Sequence, residues 1–206
     1  MRMLRLKESH PTAKVELWCE DEARLGLKPI VRKAWSLIGQ RPLVKVHQRY
    51  EWTYLYTFVY PKSGEVHWLI LPTVKAEVFS IALEHFAREV GAGKRKHIIL
   101  VVDRAGWHTA KKKLKIPEGI HLEFLPPHSP ELQPAERLWP LSNEGVANCH
   151  FEEIEELEEA LVERCMALSE QPDLIRPIVD AHLRTQDGQS TRLRPLSRSL
   201  SASEDR

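Results

Sequence analysis

The chain has 206 residues, 42% hydrophobic and 29% charged, which are the proportions of one globular domain able to bury a real core. Neither a membrane span nor the apolar segment of a signal peptide is visible, so the expected location is the cytoplasm. Three cysteines (Cys19, Cys149, Cys165) form no metal or CxxC pattern, and their odd number argues for reduced thiols over a disulfide framework. The formal net charge of +1 says nothing about nucleic acid, but its distribution does. Residues 1–50 carry eleven Lys/Arg against five Asp/Glu, and residues 88–115 carry nine against two. Residues 152–163 hold seven glutamates and no base, which predicts a basic face opposite an acidic helix.

Residues 1–14 read as a basic lead-in. A strand is predicted over 15–21, with Val15, Leu17 and Cys19 alternating against Glu16, Trp18 and Glu20. Segments 31–38, 43–50 and 53–60 are β-branched or aromatic enough to be further strands. The turn Pro61-Lys62-Ser63-Gly64 then leads into another over 65–71. From Val78 to Val90 the apolar residues recur at helical spacing until Gly91 and Gly93 stop them. The aliphatic run 98–102 has the character of a central strand covered on both faces. A helical stretch over 107–113, a short strand over 122–125, a helix over 134–148 and an amphipathic helix over 151–168 complete the order. Beyond about residue 184 the composition predicts a disordered tail. The pattern defines an α/β domain over 15–183, with a mixed central sheet, an antiparallel meander and flanking helices.

The most constrained stretch is Leu125-Pro-Pro-His-Ser-Pro-Glu-Leu-Gln-Pro-Ala-Glu-Arg-Leu-Trp139. Its four prolines fix their own φ and push each preceding residue toward extended conformations, so it is a stiff connector. Pro134 suits the first turn of a helix and places Glu136 near that helix's N-terminus, where the dipole favours a carboxylate. On its own Glu136 reads as a capping glutamate. Upstream, Asp103 closes the run 98–102 and Asp21 ends the first strand, and sites in open α/β sheets form at such carboxyl ends. Three carboxylates without histidine or cysteine suit hard divalent ions, two of which can stabilise an in-line phosphoryl displacement.

Three blocks carry a resemblance: Cys-Glu-Asp21-Glu-Ala-Arg24, Val-Val-Asp103-Arg-Ala-Gly-Trp-His108, and Pro126-Pro-His-Ser-Pro-Glu-Leu-Gln-Pro-Ala-Glu136-Arg-Leu-Trp139. In this order, and with 32 residues between Asp103 and Glu136, they resemble the catalytic blocks of DDE transposases from bacterial insertion sequences related to mariner elements. The resemblance implies a ribonuclease H-like (retroviral-integrase-like) fold and two Mg2+ ions, with Mn2+ as a substitute. Asp21 would bridge both ions, with Asp103 and Glu136 each binding one. It further implies cleavage of double-stranded DNA at transposon ends, strand transfer into target DNA, action as a homodimer and association with the nucleoid. Arg104 stands where the family usually has Asn.

Candidate DNA contacts are Arg104, His108 and Lys111, Lys112 and Lys113, the lysines reading equally as phosphate contacts and as a solvated run. His108 reads first as a hydrogen-bonding or packing side chain, and Trp107 and Trp139 as core. Only about fourteen residues precede the first catalytic strand, too few for the helix-turn-helix units that normally read the terminal repeats. The expectation is a cutting domain without its reading domain, joined to an upstream-frame DNA-binding partner or left as a truncated piece, and a poor sequence-specific binder by itself. Two alternatives stand beside it: an inactive remnant that only binds DNA or a partner, and a ribonuclease H-like nuclease acting on RNA–DNA hybrids.

Overall fold

The structure is a computed structural model that describes residues 2–33, 35–39, 49–110, 112–127 and 129–184. Its centre is a five-stranded mixed sheet in the order β3-β2-β1-β4-β5. The strands are β1 (Lys14–Gly26), β2 (Trp52–Tyr60), β3 (Glu65–Leu71), β4 (Lys96–Val102) and β5 (Ile120–Phe124). The meander β1-β2-β3 is antiparallel, while β4 runs parallel to both β1 and β5. The helices are α1 (Arg2–Ser9), α2 (Ala76–Val90), α3 (Trp139–Ser142), α4 (Ile154–Ser169) and α5 (Pro172–Arg184). Among the described residues, no helix is long and apolar enough to cross a membrane.

The two faces of the sheet bury separate cores. Trp18, Phe58, Leu100 and Val102 pack on the α2 face, where the Phe86 ring stacks on Phe58 with centroids 4.3 Å apart and meets Trp18 edge-on at 5.0 Å. Cys19, Val59 and Leu138 meet Ile175 and Val179 of α5 on the opposite face. Leu157, Leu161 and Cys165 of α4 cover Leu25 and Leu55 farther along. A central strand covered on both faces has no wet side, so the alternation expected in β1 does not divide buried from exposed: Glu16, Trp18, Cys19 and Glu20 are all buried. Burial pushes the thiols of Cys19 and Cys165 up to about 12, and both are free cysteines.

Three expected elements take another form. The described part of 31–38 has no strand; Val31, Trp35, Leu37 and Ile38 stand exposed, and the Arg32 N–H donates to the Asn148 side chain at 2.9 Å instead of to a neighbouring strand. The expected strand over 43–50 falls largely outside the described residues, as does the tail beyond 184. In place of a helix over 107–113 the chain makes turns, beginning where the Asp103 side chain accepts the Ala105 N–H at 2.8 Å. The helix expected over 134–148 is broken into a 3-10 turn Pro134–Leu138, the short α3 and a second 3-10 turn Asn143–Gly145. Pro140 has no N–H to return to the Glu136 carbonyl, which prevents one continuous α-helix. Residues 2–9, read as a lead-in, are helical, and α5 was not anticipated; its Ile175 and Val179 are one turn apart and fully buried.

Two glycines end α2 and start β5 for different reasons. Gly91 at the α2 C-terminus has φ 68° with open space around it, so its left-handed backbone is the only constraint. Gly119, which begins β5, has φ 84°, and a Cβ there would lie 2.3 Å from the Gly93 nitrogen. We expect Gly91→Ala to cost about 1 kcal/mol and Gly119→Ala at least about twice that, since strain and clash add. Urea unfolding of the two variants side by side checks the difference.

Candidate metal centre at the carboxyl ends of the parallel strands

The parallel pairing of β1 with β4 ends at Cys19 and Val101, but β1 continues to Gly26 against β2. The β4 chain turns away after Val102, leaving a cleft beside the second half of β1. Asp21 is therefore not at the end of its strand, as the sequence suggested, but at the end of the parallel pairing. The proline loop fills the cleft from the other side. Gln133 caps the 3-10 turn Pro134–Leu138 yet makes no side-chain cap; its Nε2 donates instead to the Glu20 carbonyl at 2.8 Å, one residue past the last β1–β4 pair.

The result is a cavity of about 420 Å³ lined by Asp21, Asp103, Glu136, Arg104, Gln133 and the loop prolines Pro126 and Pro127. The three sequence-predicted carboxylates thus come together from three separate elements. Burial, then the charges of Glu22 and Glu136, push Asp21 up to about 7, even though Trp139 donates its indole N–H to Asp21 Oδ2 at 3.1 Å. Glu136 is raised by burial and by the charges of Asp103 and Glu131, against the opposing pull of Arg137. Asp103 moves the other way: its hydrogen bond with His108 holds it below its usual range.

Behind Asp103 lies a buried histidine. His108 Nδ1 is 2.7 Å from Asp103 Oδ1, and its Nε2 is 3.0 Å from Glu22 Oε1 and 3.6 Å from Glu20 Oε2. Burial alone would lower its pKa, but the hydrogen bonds with Asp103 and Glu22 and the charges of Glu20 and Glu22 lift it to about 10, so it is an imidazolium at neutral pH. Glu20, Glu22 and His108 have ligand atoms all within 4.8 Å of one another. Both Glu20 carboxylate oxygens are buried without a hydrogen-bond partner among the described residues, and burial, then the charge of Glu22, pushes Glu20 well above its usual range. Trp107 Nε1 donates to the same Glu22 oxygen at 2.9 Å.

His108 was expected among the DNA-contacting residues. Its side chain is fully buried with both ring nitrogens turned to carboxylates, so it has no face for a phosphate. Arg104 does reach the cavity; its Nε donates to the Leu125 carbonyl at 3.0 Å, which aims the guanidinium along the proline loop. Lys112 and Lys113 are exposed, Lys113 lying 3.4 Å from Glu77, while Lys111 falls outside the described residues. Sequence reasoning missed Glu22, Gln133 and the hydrogen-bonding role of both tryptophans. A carboxylate on each side of Asp21 was visible, but which faced histidine depended on strand parity and on the chain turning at Asp103.

A family model described as DDE superfamily endonuclease matches residues 16–158, and the chain belongs to this family. It is 42% identical over 88 residues to the uncharacterized protein y4pE/y4sA of Sinorhizobium fredii (strain NBRC 101917 / NGR234), over 43% of this chain and 63% of that protein. Two solved structures share the fold. The mariner Mos1 paired end complex with Mg gives a TM-score of 0.57 at 17% identity, over 84% of this chain and 56% of that one. A pre-cleavage Mos1 transpososome gives 0.54 at 16%, over 91% and 60%. The chain therefore spans less than two thirds of the length of each of these relatives. With its mixed sheet and flanking helices, the fold is ribonuclease H-like, as the sequence resemblance implied.

The electrostatics give a signed expectation. In metal-free protein the folded pKa of Asp21 lies above its ordinary 3.8, so the fold favours the neutral acid. That contribution is complete below about pH 4 and disappears as pH rises through about 7. With chelator present, the wild-type chain will lose stability between pH 4 and 7, and Asp21→Asn will flatten that loss and be more stable at pH 8 by about 1–3 kcal/mol. Urea unfolding at pH 5 and pH 8 checks both signs.

Proposed function

We propose that this chain is the catalytic domain of a transposase related to mariner elements, cutting double-stranded DNA at transposon ends and joining the freed 3′-hydroxyl to target DNA. One observation carries the reading: Asp21, Asp103 and Glu136, far apart in sequence, line a single cavity at the carboxyl ends of parallel strands. The donor set fits a hard divalent ion. It is all carboxylate oxygen, and neighbouring carboxylates add to burial in raising Asp21 and Glu136. Asp21, Asp103 and Glu136 would hold two Mg2+ ions there, which would supply charge stabilisation for a displacement at phosphorus. Mn2+ would substitute.

The protein's own groups position these ligands. His108 fixes the Asp103 carboxylate in its ionised form, and Trp139 holds one Asp21 oxygen. Arg104, which lines the cavity, is placed to meet the phosphate backbone of bound DNA, and the exposed Lys112 and Lys113 would add phosphate contacts. One of the solved structures that share the fold is a mariner Mos1 paired end complex, and a homodimer of this chain is part of the proposal.

Pre-cleaved end DNA taken from the sequence flanking the coding region, incubated with target plasmid and the protein, tests the reading. Joining should require Mg2+ or Mn2+ and stop with chelator. Glu136→Gln and Asp103→Asn should each reduce it by about 100-fold or more, the loss of about 3 kcal/mol of transition-state stabilisation. Folded wild-type protein, supplied in trans with the upstream-frame DNA-binding domain, that neither nicks nor joins with either ion would remove the catalytic reading in favour of a binding-only remnant. Substituting Lys112 and Lys113 with Ala should weaken DNA binding uniformly across sequences and flatten its salt dependence by about two phosphate contacts, measured by fluorescence anisotropy at several salt concentrations.

A further inference from the structure

Three histidines meet at the amino ends of the parallel strands, the opposite end of the sheet from the carboxylate cavity. His97 is the second residue of β4 and His121 the second of β5. Strand alternation turns both to the face away from α2, since their neighbours Ile98 and Ile120 belong to the α2-side core. His10 follows directly on α1. His97 Nδ1 lies 3.0 Å from His121 Nε2, and the His10 ring packs on His97 with centroids 4.2 Å apart.

Hydrogen bonding does not account for this arrangement. The buried polar groups of a folded chain ordinarily find partners. Here two ring nitrogens face each other over one proton, and whichever ring donates, His97 Nε2 stays buried with no hydrogen-bond partner among the described residues. His97 is 5% exposed, His121 is half-buried and His10 is exposed, so the cluster is rooted in the sheet and opens to solvent on its outer side. Lys14 and Lys96, which flank it in sequence, both pair with Glu16, which stands with Trp18 on the α2 face.

Neutral imidazole is a ligand for borderline divalent ions such as Zn2+, Ni2+ and Cu2+. Two nitrogens on one tetrahedral zinc, each about 2.0–2.1 Å from it, stand about 3.3 Å apart, close to the spacing this pair already has. An ion seated there needs both facing nitrogens bare, each ring keeping its proton on its other nitrogen. His10 meets His97 ring to ring, and its exposed side chain must turn to bring a nitrogen to the ion.

We propose that His97, His121 and His10 form a structural site for a divalent ion of the zinc class, which clips the end of α1 to the amino ends of β4 and β5. His97 and His121 are the poised pair, and His10 closes on the ion from solvent. Asp103 lies six positions beyond His97, about 20 Å at the rise of a strand, so the ion takes no part in the chemistry of the carboxylate cavity. The site stands whether or not that cavity is catalytic.

Co2+ is the probe, because nitrogen-bound tetrahedral Co2+ absorbs visible light far more strongly than Co2+ among carboxylates and water. In excess Mg2+, which competes at the carboxylate cavity, the wild-type chain should bind Co2+ with strong visible absorption. Zn2+ should displace that absorption and raise the thermal unfolding temperature. His121→Gln and His10→Gln, at half-buried and exposed positions, should each weaken Co2+ binding at least about 10-fold. Folded wild-type protein without strong absorption overturns the proposal, and so does an affinity within twofold of wild type in either variant. Should His121→Gln fail to fold, His10→Gln alone decides.

Discussion

Beyond Cys19, β1 has a strand on one side only. Its partner β4 has turned away at Asp103, and the sheet opens at the point where two parallel strands stop sharing hydrogen bonds. Backbone groups exposed by such a split must find partners, and the proline loop supplies one when Gln133 donates to the Glu20 carbonyl. That single tether brings Glu136, three residues later in a tight 3-10 turn, to the cleft that Asp21 and Asp103 already face. The stiffness of the loop makes the tether effective: with four prolines in its length it has few alternative paths by which Glu136 could drift.

Charge is distributed unevenly around this opening, and the unevenness separates two tasks. Glu20 and Glu22 point to the α2 face, where His108 meets Glu22 at 3.0 Å from within the core. Asp21, between them in sequence, points to the opposite face, where Trp139 donates its indole N–H and the Glu22 backbone adds a second hydrogen bond. The same three-residue stretch therefore puts carboxylates beside a cation on one side and beside neutral donors on the other. Asp103 belongs to both, since the histidine beside the buried glutamates also grips its carboxylate. The core of one face and the chemistry of the other are linked through one imidazole.

Much of this was legible in the chain. The central run 98–102, the meander and the amphipathic stripe of α4 follow from hydrophobic periodicity, which reports burial directly. Each of the three acids alone reads as a turn-former, a capping glutamate or one acid among neighbours; the resemblance of their three blocks picked them out as a set, and the structure brings them to one cavity. What escaped depended on pairing and on side-chain reach. Segment 31–38 has the composition of a strand, but its start is held by a side chain instead of a neighbouring strand, the Arg32 N–H donating to Asn148 Oδ1 at 2.9 Å. The turns at 107–113 win over a helix because Asp103 captures the Ala105 N–H first. Gln133 looked like any polar residue in a loop, and its importance comes from a carbonyl more than a hundred positions upstream.

The buried thiols give the molecule a reporter of its own. Cys19 lies two residues before Asp21 in the strand that carries the site, while Cys165 lies on α4, and both are sealed and unreactive in the folded chain. Alkylation at either position must wait for its element to open. The rate at which Cys19 reacts therefore clocks excursions of β1, the rate at Cys165 clocks those of the covering helix, and their ratio tells whether the cleft opens on its own or only when the whole domain does.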